Sequence, residues 1–309
     1  MRHGGERIGP ASPAEEVREG GVALQTLQRS HGTARIGFKF AGGMTRIAEM
    51  AEAGCLRVRS PRAEPNTARS AVLINTSGGL TDGDHLQISA IWAPNTCAAI
   101  TSQAAERIYR SRGDCARIDC RLTVAETALA LWLPQETILF DHGRLERRTE
   151  ARVAEGGRLL ACESLIFGRR AMGEEVRDGA ILDAWRIRYA GRLVYADTFK
   201  ISGDIEAKLE RGAIAEGAKA VATVLLVGEV SEALVDSARR LVRKPRARIG
   251  ISRVGPVLIA RILAKDGAAM RHDLAKLLDG LLGGLAIPAH DAAPRGSSMP
   301  LRLPRLWHF

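Results

Sequence analysis

The sequence predicts a mainly β protein with two α-helices in its C-terminal third. Three observations predict it. Apolar residues recur with period two in run after run, the repeat of a strand with one buried face. Gly, Asp, Asn or Pro turn chemistry bounds each run. Helical periodicity is confined to two late stretches.

Residues 1–22 hold many Gly, Glu and Arg and almost no apolar side chains, so a disordered tail is expected there. That leaves 23–309 as a single β-rich domain. In HLQISAIW, Leu86, Ile88, Ala90 and Trp92 alternate with polar or small residues. Ile118, Cys120, Leu122 and Val124 do the same, as do Leu129, Leu131 and Leu133 and then Trp185, Ile187 and Tyr189. Late in the chain, Val257, Ile259, Arg261 and Leu263 share a face. These runs read as half-buried antiparallel strands. Tyr189-Ala190-Gly191-Arg192 reads as a hairpin tip. No short repeat of fixed period is visible.

The first helix starts at Ser231 as N-cap, with Leu234, Ala238 and Leu241 on one stripe. Glu232 near its start and Arg239, Arg240 and Arg243 near its end suit the helix dipole. The second runs over about 268–282, with Met270, Leu274, Leu277, Leu278 and Leu281 on its apolar stripe and Gly283-Gly284 as its stop. The tail PLRLPRLWHF (300–309) is too short to fold alone, so it is expected to pack back or to bind something.

With 309 residues, 46% hydrophobic, the chain is long enough to bury a sizeable core, which excludes wholesale disorder, collagen and coiled coil. No stretch is apolar for long enough to span a membrane, and the N-terminus lacks the apolar core of a secretory signal. Five cysteines without an export signal read as reduced thiols in a cytoplasmic protein. The formal charge is +10, with 38 Arg against 7 Lys, a surplus that suits an anionic partner. Aromatic residues make up only 4%, which leaves few stacking platforms for single-stranded nucleic acid.

Three runs invite a chemical reading. NTSGGLTDGD (75–84) could cradle phosphate, but a strand follows it where a phosphate loop opens a helix, and Asp82 and Asp84 would repel the anion. Glycines supplying a tight connection explain it better. LPQETILFDH (133–142) places Asp141 beside His142, a pair a metal-dependent hydrolase could use. Neighbours on a strand face opposite sides, however, and no further ligand set accompanies them, so a turn is favoured. RRLVRKPRAR (239–248) is the strongest basic run and supports the alternative of a basic, β-rich nucleic-acid-binding module.

The order of motifs says more than any one of them. SGGLTDGD, TSQAAERIYRS, WLPQETILFDHGRLERRT, ESLIFGRRAMGE and a final LPRLWHF together resemble the urease accessory protein D family (UreD, also UreH), from about Gly32 to the C-terminus. The resemblance implies stacked antiparallel and mixed β-sheets with β-helix-like topology. It also implies a non-enzymatic nickel-insertion chaperone that binds urease apoprotein and the accessory proteins F and G, with no nucleic acid and no membrane involved. No cofactor would be held stably, and Ni²⁺ would pass transiently through the interior. The matched positions are Gly78, Gly79, Gly83 and Asp84; Gln103, Ala105 and Arg110; Pro134, Gln135, Glu136 and Asp141; and Gly168, Arg169 and Gly173. Many relatives carry Gly-Gly-Asp where this chain has Asp82-Gly83-Asp84. Asp84, Glu136, Asp141 and Glu163 are the candidates for weak, exchangeable oxygen contacts to nickel in transit.

Overall fold

The computed structural model describes residues 29–62, 66–169, 173–285 and 301–307; the expected tail at 1–22 lies outside the described residues. The hairpin β1 (His31–Ala41) and β2 (Met44–Gly54) opens the fold, and the short β3 (Leu56–Arg59) carries the chain from one sheet to another. From β4 (Arg69–Asn75) onward the chain winds as a solenoid. Each coil lays one strand in a ten-stranded sheet and the next in a seven-stranded sheet. The ten-stranded sheet takes β4, β6 (Cys97–Ser102), β9 (Leu129–Leu133) and β12 (Arg158–Phe167). The seven-stranded sheet takes β5 (His85–Trp92), β8 (Ala116–Val124), β11 (Arg144–Val153) and β13 (Ala180–Tyr189). Two short strands, β7 (Glu106–Ile108) and β10 (Thr137–Leu139), lie in the connections between them.

The mixed, β-helix-like architecture expected from the resemblance is present. The antiparallel reading of individual runs is corrected: β5, β8 and β9 pair in parallel on both sides. Parallel sheets are usually covered on both faces and read as continuous apolar runs. Here the outer face of the seven-stranded sheet is uncovered, so its strands alternate as antiparallel ones do. Antiparallel pairing is confined to the ends. β14 (Arg192–Ser202) forms the hairpin with β13 through the turn at 189–192, where Ala190 and Gly191 have φ of 48° and 78°. β15 (Ala220–Val227), β16 (Arg248–Val254) and β17 (Val257–Ala264) extend the ten-stranded sheet.

Two apolar layers result. Between the sheets lie Phe38, Trp92, Leu122, Trp185 and Ile187 with the inward residues of every coil. Behind the ten-stranded sheet a second layer joins Leu129, Leu131 and Leu133 to the helices and the C-terminal segment. Burying one such side chain contributes about 1.5–3 kcal/mol.

Among the helices, α1 (Ile205–Glu210), capped by Asp204, was not anticipated; six residues are too few to show a period. α2 (Glu232–Leu241) begins where expected, with Ser231 Oγ accepting from the amide of Leu234. α3 (Gly267–Gly284) runs through the glycines read as its stop and ends at Leu285. Gly284, with Gly280 one turn before it, is needed for packing: a Cβ on Gly280 would sit 2.0 Å from Leu241 Cδ1, and one on Gly284 2.5 Å from Leu234 Cδ1, so α2 and α3 meet almost backbone to side chain. Residues 301–307 pack back as a strap, with Leu303 and Trp307 buried and the Arg302 amide donating to the carbonyl of Asn66 at 2.8 Å. No described helix is long and apolar enough to cross a membrane.

Candidate functional site

The solenoid brings the separate sequence motifs to one corner. Connections 76–84, 103–115, 134–143 and 168–179 all run from the ten-stranded to the seven-stranded sheet, and they stack. Leu80 bridges Ile108, Ile108 pairs with Leu139, and Leu139 with Phe167, forming a buried ladder through four coils. Its rungs are backbone hydrogen bonds: Leu80 N to Arg107 O at 2.7 Å, Phe140 N to Ile108 O at 3.0 Å and Gly168 N to Leu139 O at 2.9 Å. Gly79 (φ 153°) must be glycine, since a Cβ there would lie 2.4 Å from the Tyr109 ring. Gly78, Gly83, Gly168 and Gly173 also take positive φ in these turns. Arg110 bridges Gly143, and Arg169 lies 4.3 Å over the Phe140 ring while pairing with Glu174.

Two of the proposed carboxylates build this wall. Asp84 Oδ1 accepts from Ser30 N at 2.7 Å and Oδ2 from Thr81 N at 2.8 Å. Asp141 Oδ1 accepts from the amides of Arg177 and Asp178 at 2.8 and 3.1 Å. Asp141 and His142 do approach each other, Oδ2 to Nε2 at 3.3 Å, because His142 turns through φ 62° and no strand separates their faces. The extra carboxylate Asp82 accepts from the amide of Arg112 and meets Arg29. Burial opposes its charge, but these two partners outweigh burial and hold it below the usual carboxylate range.

Behind the wall, between the sheets, lies a cavity of about 170 Å³. Asn75, Gln103 and Glu106 flank one end; Cys120, Trp132, Arg147 and Glu163 line the other. Asn75 Nδ2 donates to both Glu106 oxygens at 3.0 and 3.2 Å. Burial nevertheless pushes the Glu106 carboxyl up to about 7. At the floor, Arg147 donates through Nε and Nη2 to both Asp183 oxygens at 3.1 and 2.6 Å, and through Nη1 to Thr137 Oγ1 at 3.1 Å. Its Nη1 also lies 2.5 Å from Glu163 Oε2, while Trp132 Nε1 donates to Glu163 Oε1 at 3.1 Å. Burial raises Glu163 to about 7 against the pull of Arg147. With both acids ionised this cluster carries one net negative charge; with Glu163 protonated it is neutral. Thr149 Oγ1, buried nearby on β11, has no protein hydrogen-bond partner, a site suited to bound water.

Of the four sequence candidates, Glu163 alone faces this cavity. Glu136 points to the other side of the ten-stranded sheet, where Arg271 Nη1 donates to it at 2.7 Å. The same guanidinium contacts Gln135, donates through Nη2 to the Leu306 carbonyl at 2.8 Å and sits 4.7 Å over the Trp307 ring, tying the PQE motif to the strap. Pro134 lines the cavity. Sequence reasoning missed Glu106, Arg147 and Asp183. Parity would have found two of them. Arg147 shares its face with Leu145, Thr149, Ala151 and Val153, and Asp183 with Ile181, Trp185 and Ile187, so each is a charge at an inward position. The basic run at 239–248 is partly paired, with Arg239 on Asp236 and Arg248 on Glu216. Among the described residues, no group of three or more His, Cys, Asp and Glu side chains could hold a metal ion.

These features define a β-solenoid whose motif-bearing corner borders a partly open, largely apolar cavity with a charged floor. The model of the UreD urease accessory protein family matches residues 30–295. Urease accessory protein UreD 3 of Bradyrhizobium sp. (strain BTAi1) is 38% identical over 302 residues, covering 97% of this chain and 99% of the relative. Urease accessory protein UreD of Rhodopseudomonas palustris (strain BisB5) is 41% identical over 264 residues, 84% of this chain and 93% of the relative. Urease accessory protein UreD 1 of Brucella abortus biovar 1 is 39% identical, over 88% of this chain and 97% of the relative. The chain belongs to the UreD family of urease accessory proteins.

Proposed function

We propose that this protein is a non-catalytic, cytoplasmic scaffold of urease maturation that binds urease apoprotein and the accessory proteins F and G and assists delivery of Ni²⁺ to the urease active site. The observation that carries the reading is an internal cavity bounded by Glu106 and Glu163 in a chain of the UreD family. Carboxylate oxygens bind Ni²⁺ more weakly than thiolate and imidazole cages do, so an ion in transit is released again. A chain of net charge +10 repels free cations on average, so a path for the cargo needs local acid groups of this kind. In this reading Glu163 and Glu106 handle the cargo, Asp84 and Asp141 hold the wall in shape, and Glu136 fixes the strap through Arg271.

Co-expression of the tagged protein with the urease operon, followed by affinity capture, tests the reading. Recovery of urease subunits with the accessory F and G proteins is the expected result. Capture of the folded protein without any of them would overturn it.

A further inference from the structure

The cavity has an apolar wall that a metal ion does not use. Leu73 of β4, Ile88 of β5 and Ile118 of β8 line it, and they keep 6%, 8% and 7% of their surface exposed although they lie between the sheets. Room therefore remains against three apolar side chains. A cation in transit takes oxygen ligands and gains nothing from methyl groups, and water against such a wall finds too few polar partners to be held. An engineered cavity of about 150 Å³ lined by Leu, Ile and Phe stays dry and binds benzene. At about 170 Å³ this one has space for a group of that size. Gln103 and Ala104 line it and are themselves exposed, so it opens on that side.

The far end of the cavity is charged. Arg147 brings one positive charge to two carboxylates, Asp183 and Glu163. Asp183 accepts from its Nε and Nη2, and Thr137 Oγ1 accepts from its Nη1. Glu163 Oε2 lies against Nη1, yet it is buried and has no hydrogen bond of proper geometry. Buried carboxylate oxygens are nearly always met by a donor. The donor that fits here carries a positive charge, because two ionised acids leave the floor one positive charge short.

We propose that the cavity binds a small primary ammonium compound, its apolar body against Leu73, Ile88 and Ile118 and its ammonium group donating to Glu163 Oε2. An apolar pocket with a few convergent polar groups is the usual form of a small-molecule site, the wall supplying affinity and the polar end orientation. A charge-assisted bond to the carboxylate separates the ammonium from a neutral compound of the same shape. The assignment goes beyond the cargo reading, since it gives the apolar wall a role that a metal ion leaves empty. Ligand and cargo exclude each other at Glu163.

Benzylammonium and its neutral counterpart benzyl alcohol are the probes, followed by calorimetry and by the Trp132 Nε1–H resonance, whose donor bonds Glu163. The full chain is titrated alone, without nickel, urease or accessory proteins, so the result stands apart from the proposed function. The pH is held above the value of about 7 at which Glu163 ionises. Wild type should bind benzylammonium about tenfold more tightly than benzyl alcohol, with the Trp132 resonance moving on binding. Glu163→Gln should keep its affinity for the alcohol and lose the preference for the ammonium. Ile88→Phe, which fills the apolar wall and leaves Glu163 in place, should weaken both probes several-fold, and this arm decides if Glu163→Gln does not fold. A Trp132 resonance unmoved by either probe at millimolar concentration would overturn the proposal. So would an equal preference for the ammonium in wild type and Glu163→Gln, or full affinity for both probes in Ile88→Phe.

Discussion

The two corners of the solenoid are built by opposite rules. At one, the chain returns from the seven-stranded to the ten-stranded sheet through tight turns at 93–96, 125–128 and 154–157. They stack by direct contacts, Leu129 N to Thr96 O at 2.8 Å and Arg158 N to Ala128 O at 2.9 Å. At the other corner the connections are longer, carry the extra strands β7 and β10, and hold four of the five motifs that carry the resemblance, the fifth being the C-terminal strap. Turning a coil requires only the short form. The additional chain at the second corner therefore does more than turn the coil, and it borders the cavity lined by Glu106 and Glu163. Function on loops held by a rigid scaffold is the common arrangement.

The same division separates the acids. Asp84 and Asp141, in the wall, accept from paired backbone amides. Glu163, behind it, faces a buried guanidinium and a second carboxylate. Under the proposed function, acids of the first kind set shape and acids of the second are those that exchange a cation.

Substitutions at three places test that contrast. The largest effect is expected at Arg147→Met, which leaves Glu163 and Asp183 buried without their counter-charge. Breaking a buried pair of this kind costs about 3–5 kcal/mol, read as a fall in urea-unfolding free energy. Asp84→Ala comes next, because it strands the Ser30 and Thr81 amides; roughly 2 kcal/mol is expected in the same measurement, with any loss of urease activation tracking the loss of folded protein. At the opposite corner Thr127 Oγ1 accepts from the Asn95 amide at 3.0 Å in an exposed turn. Thr127→Ala should cost under about 1 kcal/mol and leave activation per folded molecule unchanged. A clear activation defect there would erase the difference between the corners.

The pH dependence of stability sharpens the comparison further. Glu163 titrates near 7 in the fold against an ordinary 4.5, so between those values the folded state holds more protons than the unfolded state. Its contribution is present below about pH 4.5 and is lost as pH rises through about 7. Glu106 adds a slope of the same sign. Glu163→Gln should flatten the unfolding free energy across this window relative to wild type. Arg147, Asp183 and the Cys120 thiol, which face Glu163, remain in place in both proteins.

Much of the fold was legible in the sequence, and what was missed has physical causes. Alternation located β5, β8, β9, β13 and β17 because each strand has an inward face. It misread the parallel pairing of β5 and β8 because the seven-stranded sheet leaves its outer face to charged residues; β9, buried on both faces, does carry the continuous apolar run of a parallel strand. The coils escaped notice as a repeat because connections of unequal length break the period. Gly283-Gly284 looks like a helix end in one dimension, whereas in three Gly284, with Gly280, lets α2 approach α3. At the site, Glu163 could be picked out from its motif. Parity marks Arg147 and Asp183 as charges at inward positions, but that they meet Glu163, and that Glu106 lines the same cavity, follows only when the coils stack.

The central claim is that the acids lining the cavity handle the cargo while the wall gives the cavity its shape. Urease activation by Glu163→Gln, measured with complex assembly and unfolding free energy on the same preparation, tests it most directly. The account predicts full assembly by the folded variant and a severalfold fall in activation per folded molecule; the single amide oxygen can face Trp132 or Arg147 but not both, so stability falls by about 1–3 kcal/mol. Undiminished activation by the assembled variant, or a defect explained wholly by lost assembly, would contradict it.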